Sequence, residues 1–433
     1  MTKRILLVSG RCIIENPYRE LPLLNLLRKK GFDAQLLLPG YNINAFGYDK
    51  QFQNDPVFQN NKCFWIDSLS AYKKLVKRYD AVMLGSWKTY STLSHVARSY
   101  GKLVFGYQST TGLDHWHNDV DFAFLISNFK KRFMLYAFKE FENIDDPPDS
   151  NSLIITGSIA HDRYINKHNN LKIDRETFLR SYDLNLGSNT VVLFPKATKV
   201  FSDKIDLWFR DWSEKKREAQ KVWYLNKYEE ICNAVINADS NLLIKMHPSA
   251  YASYRTSLSY ERKFWNQFPW AKVLKPEDTY SCYEHLDFGI GINSQAALDL
   301  GYFDKPFIYV DSDQPAIPEN LIKTHLTKTP NGPSSHWNRD GFDDVNPWFP
   351  SWLGHFSRAQ DLPDLLNDPD AKRVSPEHRE AFVKEYWYRS DGKASERIVS
   401  VVEKKLDEWD ANKRGKNQIS AVIKNYYNKE QIN

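Results

Sequence analysis

The stretch Asp287-Phe288-Gly289-Ile290-Gly291-Ile292-Asn293-Ser294-Gln295-Ala296-Ala297-Leu298-Asp299 decides the fold. Phe288–Ile292 has the unbroken apolar run of a strand covered on both faces, Asn293-Ser294 makes a tight turn, and the helix that follows opens with small or polar side chains. Lys305-Pro306-Phe307-Ile308-Tyr309-Val310-Asp311 then supplies the next strand, Phe307–Val310. Strand, short turn, helix and strand in this order form the repeating unit of a parallel α/β sheet. Working back, Leu242–Met246 and Thr190–Phe194 are further strands of the same series, which begins after the polar stretch His168–Asp183. The chain before it has the same period: Ile5–Gly10, a helix over Pro17–Lys30, Ala34–Leu38, Asp80–Gly85, Leu103–Gln108, Asp121–Ser127 and Leu153–Gly157, with helical patterns at Leu93–Tyr100 and Asn128–Phe141. Ser375-Pro376 and Ser390-Asp391-Gly392 open two late helices, the second running from Lys393 to about Trp409. The expected organisation is an N-terminal Rossmann-like domain over 1–170, a second one over 186–375, closing helices over 376–410 and a tail over 411–433. Pro315–Pro350, rich in Pro, Asn, Gly and Trp, is too long for an idle connection and reads as a functional or bridging loop.

The chain has 433 residues, 42% of them hydrophobic, with 13 Trp, 24 Tyr and 25 Phe, which excludes a disordered protein and a single small domain. The net charge of +5 is concentrated: Lys413, Arg414, Lys416, Lys424 and Lys429 follow Ala411 with no acid among them, and residues 1–410 carry only +1. Nucleic-acid binding is not indicated, because the body is balanced and no module signature accompanies the tail. Ile419, Val422, Ile423, Tyr426 and Tyr427 form an apolar helical stripe flanked by those cations, a pattern that lies on an anionic membrane surface. It equally fits a terminal helix packed on the protein's own surface or on a partner subunit. No signal-peptide stretch and no run of about 18 apolar residues is found, so the expectation is a cytoplasmic protein, peripheral on the inner face of the cytoplasmic membrane. Cys12, Cys63, Cys232 and Cys282 lack CxxC or CxH spacing, so they read as reduced thiols and not as zinc ligands or a disulfide framework.

The residues with chemistry stand where apolar strands end, the edge at which open α/β sheets bind ligands. In Leu242-Leu243-Ile244-Lys245-Met246-His247-Pro248-Ser249 the strand delivers His247 to that edge. A histidine there donates a hydrogen bond to a phosphate or protonates a leaving group, or else is a satisfied structural residue. Asn293, Ser294 and Gln295 open a helix whose free N–H groups favour an anion, although Asn293 or Ser294 also serves as a simple cap. Lys196 and Lys245 place cations beside them. A carboxylate able to act as base or nucleophile would complete such a site, and Asp203, Asp206, Asp211 and Glu214 follow the Thr190–Phe194 strand. In the first domain Arg11 and Glu15 follow the first strand, while Asp114, His115 and His117 come later; these are the acceptor-side candidates. Asp119-Val120-Asp121 and Asp311-Ser312-Asp313 resemble metal-binding pairs, but the first precedes a strand, and no metal or other cofactor is expected. The aromatic residues of Trp337–Trp352 suit either sugar stacking or a core.

Taken together, Lys245-Met246-His247-Pro248, the strand leading to Asn293-Ser294 and its helix, Lys305–Asp311, Ile154-Ile155-Thr156-Gly157-Ser158 through Asp162, and Asp391-Gly392-Lys393-Ala394-Ser395-Glu396-Arg397 resemble bacterial GT-B transferases that build surface polysaccharides. The His-Pro element is similar to that of sialyltransferases and Kdo transferases using CMP-activated sugars, and the CDP-glycerol glycerophosphotransferases have a similar layout. The resemblance implies that His247 contacts the donor phosphate, that Asn293 and Ser294 bind the nucleotide from the opposite loop, and that the active site is a cleft between two Rossmann-like domains. Asn293 stands where those enzymes have Ser, and the acidic element of bacterial sialyltransferases is absent, which turns the implied donor toward Kdo or glycerol phosphate. The function expected is a metal-independent glycosyltransferase moving a sugar from a nucleotide donor, CMP-linked with CMP-Kdo among the candidates, to a glycan or lipid-linked glycan of lipopolysaccharide O-antigen or capsule. The rival readings are a glycerophosphotransferase, a sugar-nucleotide epimerase and a non-catalytic glycan- or nucleotide-binding subunit.

Overall fold

The computed structural model describes residues 2–10, 16–40, 42–43, 50, 54–85, 91–107, 120–128, 130–131, 150–162, 165, 173–195, 213–246, 257–275, 278–292, 294, 296–310, 354–374, 376–389 and 391–413. The chain divides into two compact units, one made of Met1–Lys139, Ile144–Ile165 and Trp387–Asn433, the other of Glu140–Asn143 and Asn166–Tyr386.

The first unit holds seven parallel strands: β1 (Arg4–Val8), β2 (Asp33–Pro39), β3 (Phe64–Ile66), β4 (Ala81–Leu84), β5 (Leu103–Tyr107), β6 (Phe122–Leu125) and β7 (Leu153–Ile155). Their order is β3-β2-β1-β4-β5-β6-β7, so the crossovers reverse direction between β1 and β4. Helices α1 (Asn16–Lys29), α2 (Pro56–Asn60), α3 (Leu69–Val76) and α4 (Ser91–Ser99) connect the early strands. Ile5, Leu6, Leu7 and Val8 of β1 are all fully buried, as a strand covered on both faces requires, and Leu23, Leu24 and Leu27 of α1 share its core.

The second unit repeats the plan with β8 (Thr190–Leu193), β9 (Asn241–Ile244), β10 (Ala271–Val273), β11 (Phe288–Gly291), β12 (Phe307–Val310) and β13 (Gly354–Ser357), in the order β10-β9-β8-β11-β12-β13 and again all parallel. Its helices are α5 (Arg175–Arg180), α6 (Glu214–Asn237), α7 (Ser257–Trp265), α8 (Thr279–His285), α9 (Ala296–Tyr302), α10 (Leu362–Asn367) and α11 (Pro376–Phe382). The strand alternation splits β8 cleanly: Val191 and Leu193 enter one core cluster, Val192 and Phe194 the other. At the opposite end of the strands Arg175 donates to the Asp287 carboxylate at 2.8 Å, which also accepts the Thr190 N–H at 2.8 Å and so ties the start of β8 to that of β11.

The segment 376–410 is shared between the units: α11 goes with the second, whereas α12 (Ala394–Lys413) returns to the first. Ile398, Val399, Val402 and Leu406 of α12 are buried in the first unit's core. Its start is held by Asp162, whose carboxylate accepts the N–H groups of Ala394 at 2.8 Å and Ser395 at 2.6 Å, a cap supplied from far away in the chain. Burial pushes the Asp162 carboxyl up, against the pull of those amides and of Arg397. Arg397 in turn donates to the Thr156 carbonyl at 2.7 Å and pairs with Asp391. At the other end Lys3 pairs with Asp407 and Asp410. The helix therefore runs past Trp409 and into the segment read from sequence as a tail; residues 414–433 lie outside the described residues. Cys63, Cys232 and Cys282 are free thiols.

Candidate functional site

In the second unit β8 lies between β9 and β11, and all three end at one level. Leu193 is in register with both Ile244 and Ile290, the Lys245 N–H donates to the Leu193 carbonyl at 2.9 Å, and the Phe194 N–H donates to Ile290 at 2.9 Å. Because β8 and β11 feed crossovers in opposite directions, this edge is the sheet's topological switch point, where ligands bind in open α/β sheets. In chain order the sequence candidates follow these strands: Lys196, Asp203, Asp206 and Asp211 come after β8, His247 after β9, Asn293 and Gln295 after β11. Those seven residues lie outside the described residues, as do Arg11, Glu15, His115 and His117 of the first unit and the whole of Pro315–Pro350.

Lys245, Ser294 and Glu214 are described. Lys245 is half-buried at the end of β9, close enough to Cys282 to favour its thiolate, although burial dominates and holds that thiol well above its ordinary range. Ser294 is half-buried, and its Oγ accepts the Ala296 N–H at 3.3 Å, so the hydroxyl caps α9 and keeps its own proton to donate. Glu214 is the exposed first residue of α6, where an acid also complements the helix dipole.

The turn carrying Ser294 can sit on the sheet because of two glycines. A Cβ on Gly289 would stand 2.2 Å from Leu300 Cδ1 and 3.0 Å from Phe307 Cδ2, and one on Gly291 would stand 2.9 Å from Phe307 Cζ and 3.4 Å from Ser294 Cβ. α9 and the Phe307 ring occupy the space that side chains on β11 would need.

Two buried carboxylates went unmarked in the sequence reading. Glu261 on α7, the next described helix after β9, is fully buried; Trp265 Nε1 donates to its Oε1 at 3.3 Å, and its Oε2 has no hydrogen-bond partner among the described residues. Burial pushes this carboxyl up to about 7. Its spacing of four from Trp265, on the helix face that enters the core, was the available signal. Glu20 on α1 is also fully buried, and its Oε1 accepts the Gly10 N–H at 3.0 Å where β1 ends.

No protein-family model matches the chain, and no curated protein matches it in sequence. Solved structures do. The chain is similar to UDP-GlcNAc 2-epimerase from Neisseria meningitidis bound to UDP-GlcNAc, at 13% identity and a TM-score of 0.54 over 93% of this chain and 100% of that one. It is similar to the wall teichoic acid polymerase TagF at 11% identity and a TM-score of 0.53, over 94% of this chain and 89% of that one. It is also similar to S. aureus MnaA in complex with UDP, at 13% identity and a TM-score of 0.55, over 94% of this chain and 97% of that one. The fold is GT-B. Each Rossmann-like half of a GT-B chain offers one switch point, here at β1/β4 and at β8/β11. Among the described residues no helix is long and apolar enough to cross a membrane, and no group of three or more His, Cys, Asp or Glu is placed to hold a metal.

Proposed function

We propose that this chain is a glycosyltransferase that moves a sugar from a nucleotide-activated donor to a growing bacterial cell-surface glycan. The observation that carries the reading is the common level of β9, β8 and β11, the strands that His247, Lys196 and Asn293-Ser294 respectively follow in sequence. Similarity in fold to structures holding UDP-GlcNAc and UDP supports a nucleotide at this edge. Lys196 and Lys245 neutralise the donor's phosphates, with Asn293, Ser294 and Gln295 binding from the neighbouring loop. His247 donates to the departing phosphate, and one carboxylate among Asp203, Asp206, Asp211 and Glu214 acts as base or as nucleophile at the anomeric carbon. Arg11, Glu15, His115 and His117 serve the acceptor. Neither a metal nor another cofactor is required. The His-Pro element makes CMP-Kdo the first donor to assay, and lipopolysaccharide O-antigen or capsule the destination. The basic tail brings the enzyme to the inner face of the cytoplasmic membrane, where a lipid-linked acceptor is met.

A second reading has specific support, since one of the similar structures is an epimerase and another a teichoic acid polymerase. One panel separates the readings: CMP-Kdo, other nucleotide sugars and CDP-glycerol, each with and without acceptor, with the product anomer read by NMR. Sugar transfer supports the first proposal. Conversion of UDP-GlcNAc without acceptor means an epimerase, transfer from CDP-glycerol a glycerophosphotransferase, and a raised melting temperature without turnover a binding subunit. Failure of every nucleotide to bind overturns all of them and leaves only a glycan-binding subunit.

A further inference from the structure

The near balance of charge over residues 1–410 hides a local excess. Between Leu69 and Lys102 stand the cations Lys73, Lys74, Lys77, Arg78, Lys88, Arg98 and Lys102 against one acid, Asp80, so that this stretch carries +6 and the rest of the chain sums to −1. The fold turns much of that excess to one side. On α3 Tyr72 and Val76 are buried, as is Tyr79 just beyond the helix. The helical period sends Lys73, Lys74 and Lys77 to the opposite face, and all three are exposed, together with Arg78. None of these four forms an ion pair with a carboxylate among the described residues. Asp80 is engaged elsewhere, its Oδ2 accepting the Arg4 N–H at 2.8 Å. The end of α4 joins the same face: Tyr72 Oη donates to the Leu93 carbonyl at 3.2 Å, Lys102 Nζ donates to the Lys77 carbonyl at 3.0 Å, and Lys77 Nζ stands 4.9 Å from the centre of the Tyr100 ring, which is 38% exposed.

This arrangement works against the helix that carries it. Lys73 and Lys77, and Lys74 and Arg78, are like charges four residues apart, a spacing at which opposite charges stabilise and like charges destabilise. The chain uses opposite pairs on other helices: Glu176 with Arg180 in α5, Lys227 with Glu230 in α6, and Lys405 with Glu408 in α12. Cations near a helix C-terminus complement its dipole, which accounts for some positive charge beside Val76 and not for the lack of any acid in both α3 and α4. We propose that the outer face of α3, with Tyr100 and Lys102 at its edge, docks on an anionic phospholipid surface. The outer face of a helix is convex and encloses no small ligand, whereas a plane of headgroups meets all of its cations at once, and a tyrosine ring beside them sits at headgroup level. This surface is separate from the basic tail, and it stands whether or not the chain transfers a sugar.

Sedimentation of the full chain with vesicles of phosphatidylcholine alone, and of phosphatidylcholine with phosphatidylglycerol, tests the proposal. Wild type should bind only the anionic vesicles, less at high salt. Replacing Lys73, Lys74, Lys77 and Arg78 together by glutamine should weaken that binding by about fivefold for each cation in contact, so about a hundredfold or more for the set, at an unchanged or raised melting temperature. Lys73→Arg, Lys74→Arg and Lys77→Arg, combined in one chain, keep the charge and should keep the binding, which judges the face even if the glutamine variant fails to fold. A full chain with Arg414, Lys416, Lys424 and Lys429 replaced by glutamine should still bind, because α3 is intact. The proposal is overturned if wild type ignores anionic vesicles or binds neutral ones equally, if the folded glutamine variant binds as wild type does, if the arginine variant loses binding, or if neutralising the tail abolishes it. Wild type that is retained by a single-stranded polynucleotide and not by vesicles would make the partner a nucleic acid and overturn it as well. Nucleotide binding is measured separately, so its failure refutes the proposed function and leaves the docking face to the vesicles.

Discussion

Glu261→Gln isolates the effect of a buried acid on stability. The Glu261 carboxyl is fully buried and pushed up to about 7 by burial, with the Trp265 hydrogen bond pulling weakly the other way. In the unfolded chain a glutamate titrates near about 4.3. Below that value both states hold the proton, and the group does not affect folding. Between the two values only the unfolded chain ionises, so stability falls as pH rises; above about 7 both states are ionised and the loss is complete. The full gap corresponds to about 3.7 kcal/mol, of which about 3 kcal/mol is lost above about pH 4.5. Glutamine keeps the Oε1 acceptor for Trp265 and never ionises. Whatever the buried amide costs is independent of pH and cancels when the two proteins are compared across the range. Relative to wild type, the variant should therefore gain about 3 kcal/mol between about pH 4.5 and about pH 8, or about 6–12 °C for a domain of this size. Calorimetry of both proteins across that range measures it. Parallel curves for the two proteins would mean that Glu261 is ionised in the folded state and paired with a cation, and the reasoning from burial would be wrong.

Gly289→Ala should destabilise by about 2–3 kcal/mol in urea unfolding, because its methyl meets the buried Leu300 and Phe307; Gly187→Ala, with only Asn185 Oδ1 nearby at 3.6 Å, should be neutral or slightly stabilising. Asp162→Ala leaves the Ala394 and Ser395 N–H groups without their acceptor and should cost about 2–3 kcal/mol, with exchange accelerated first in α12. His247→Ala should lower turnover about ten- to a hundredfold at an unchanged melting temperature, whereas wild-type rates with a lower melting temperature would make His247 structural. Deleting 414–433 removes four cations worth about 1 kcal/mol each near an anionic leaflet, and should reduce liposome sedimentation while sparing a soluble acceptor; equal sedimentation would sink membrane docking by the tail.

The central strands were legible because both of their faces are covered. Ile5–Gly10, Thr190–Phe194, Leu242–Met246 and Phe288–Ile292 read as continuous apolar runs, each one or two residues long at its carboxyl end. The strands missed were Phe64–Ile66, Ala271–Val273 and Gly354–Ser357, all sheet edges of three or four residues, where one side has no partner and little apolar sequence is needed. The start of α12 was visible in Asp391-Gly392, but its cap was not, since Asp162 is distant in sequence and only the tertiary fold brings it there. Glu20 and Glu261 escaped for the same reason. A charged residue on an amphipathic helix reads as solvated until the packing of its neighbours is known.

The two switch points, compared within their own sheets, also bear on which half the proposed nucleotide is assigned to. In both, the strand just across from the first one ends on a glycine: Gly85 follows β4, and Gly291 closes β11. At Gly85 the vacant side-chain volume is filled by the carboxylate of Glu20, which occupies the Gly10 N–H. At Gly291 it is filled by the Phe307 ring and bordered by Ser294, with the Lys245 cation at the end of β9. A phosphate needs free donors and positive charge, and a carboxylate at close range opposes it. The second sheet's edge carries the uncharged Ser294 hydroxyl and Lys245, and it is the edge to which the proposal assigns the anion. The proposed assignment of the donor to the second unit rests on that asymmetry between otherwise matching sheets.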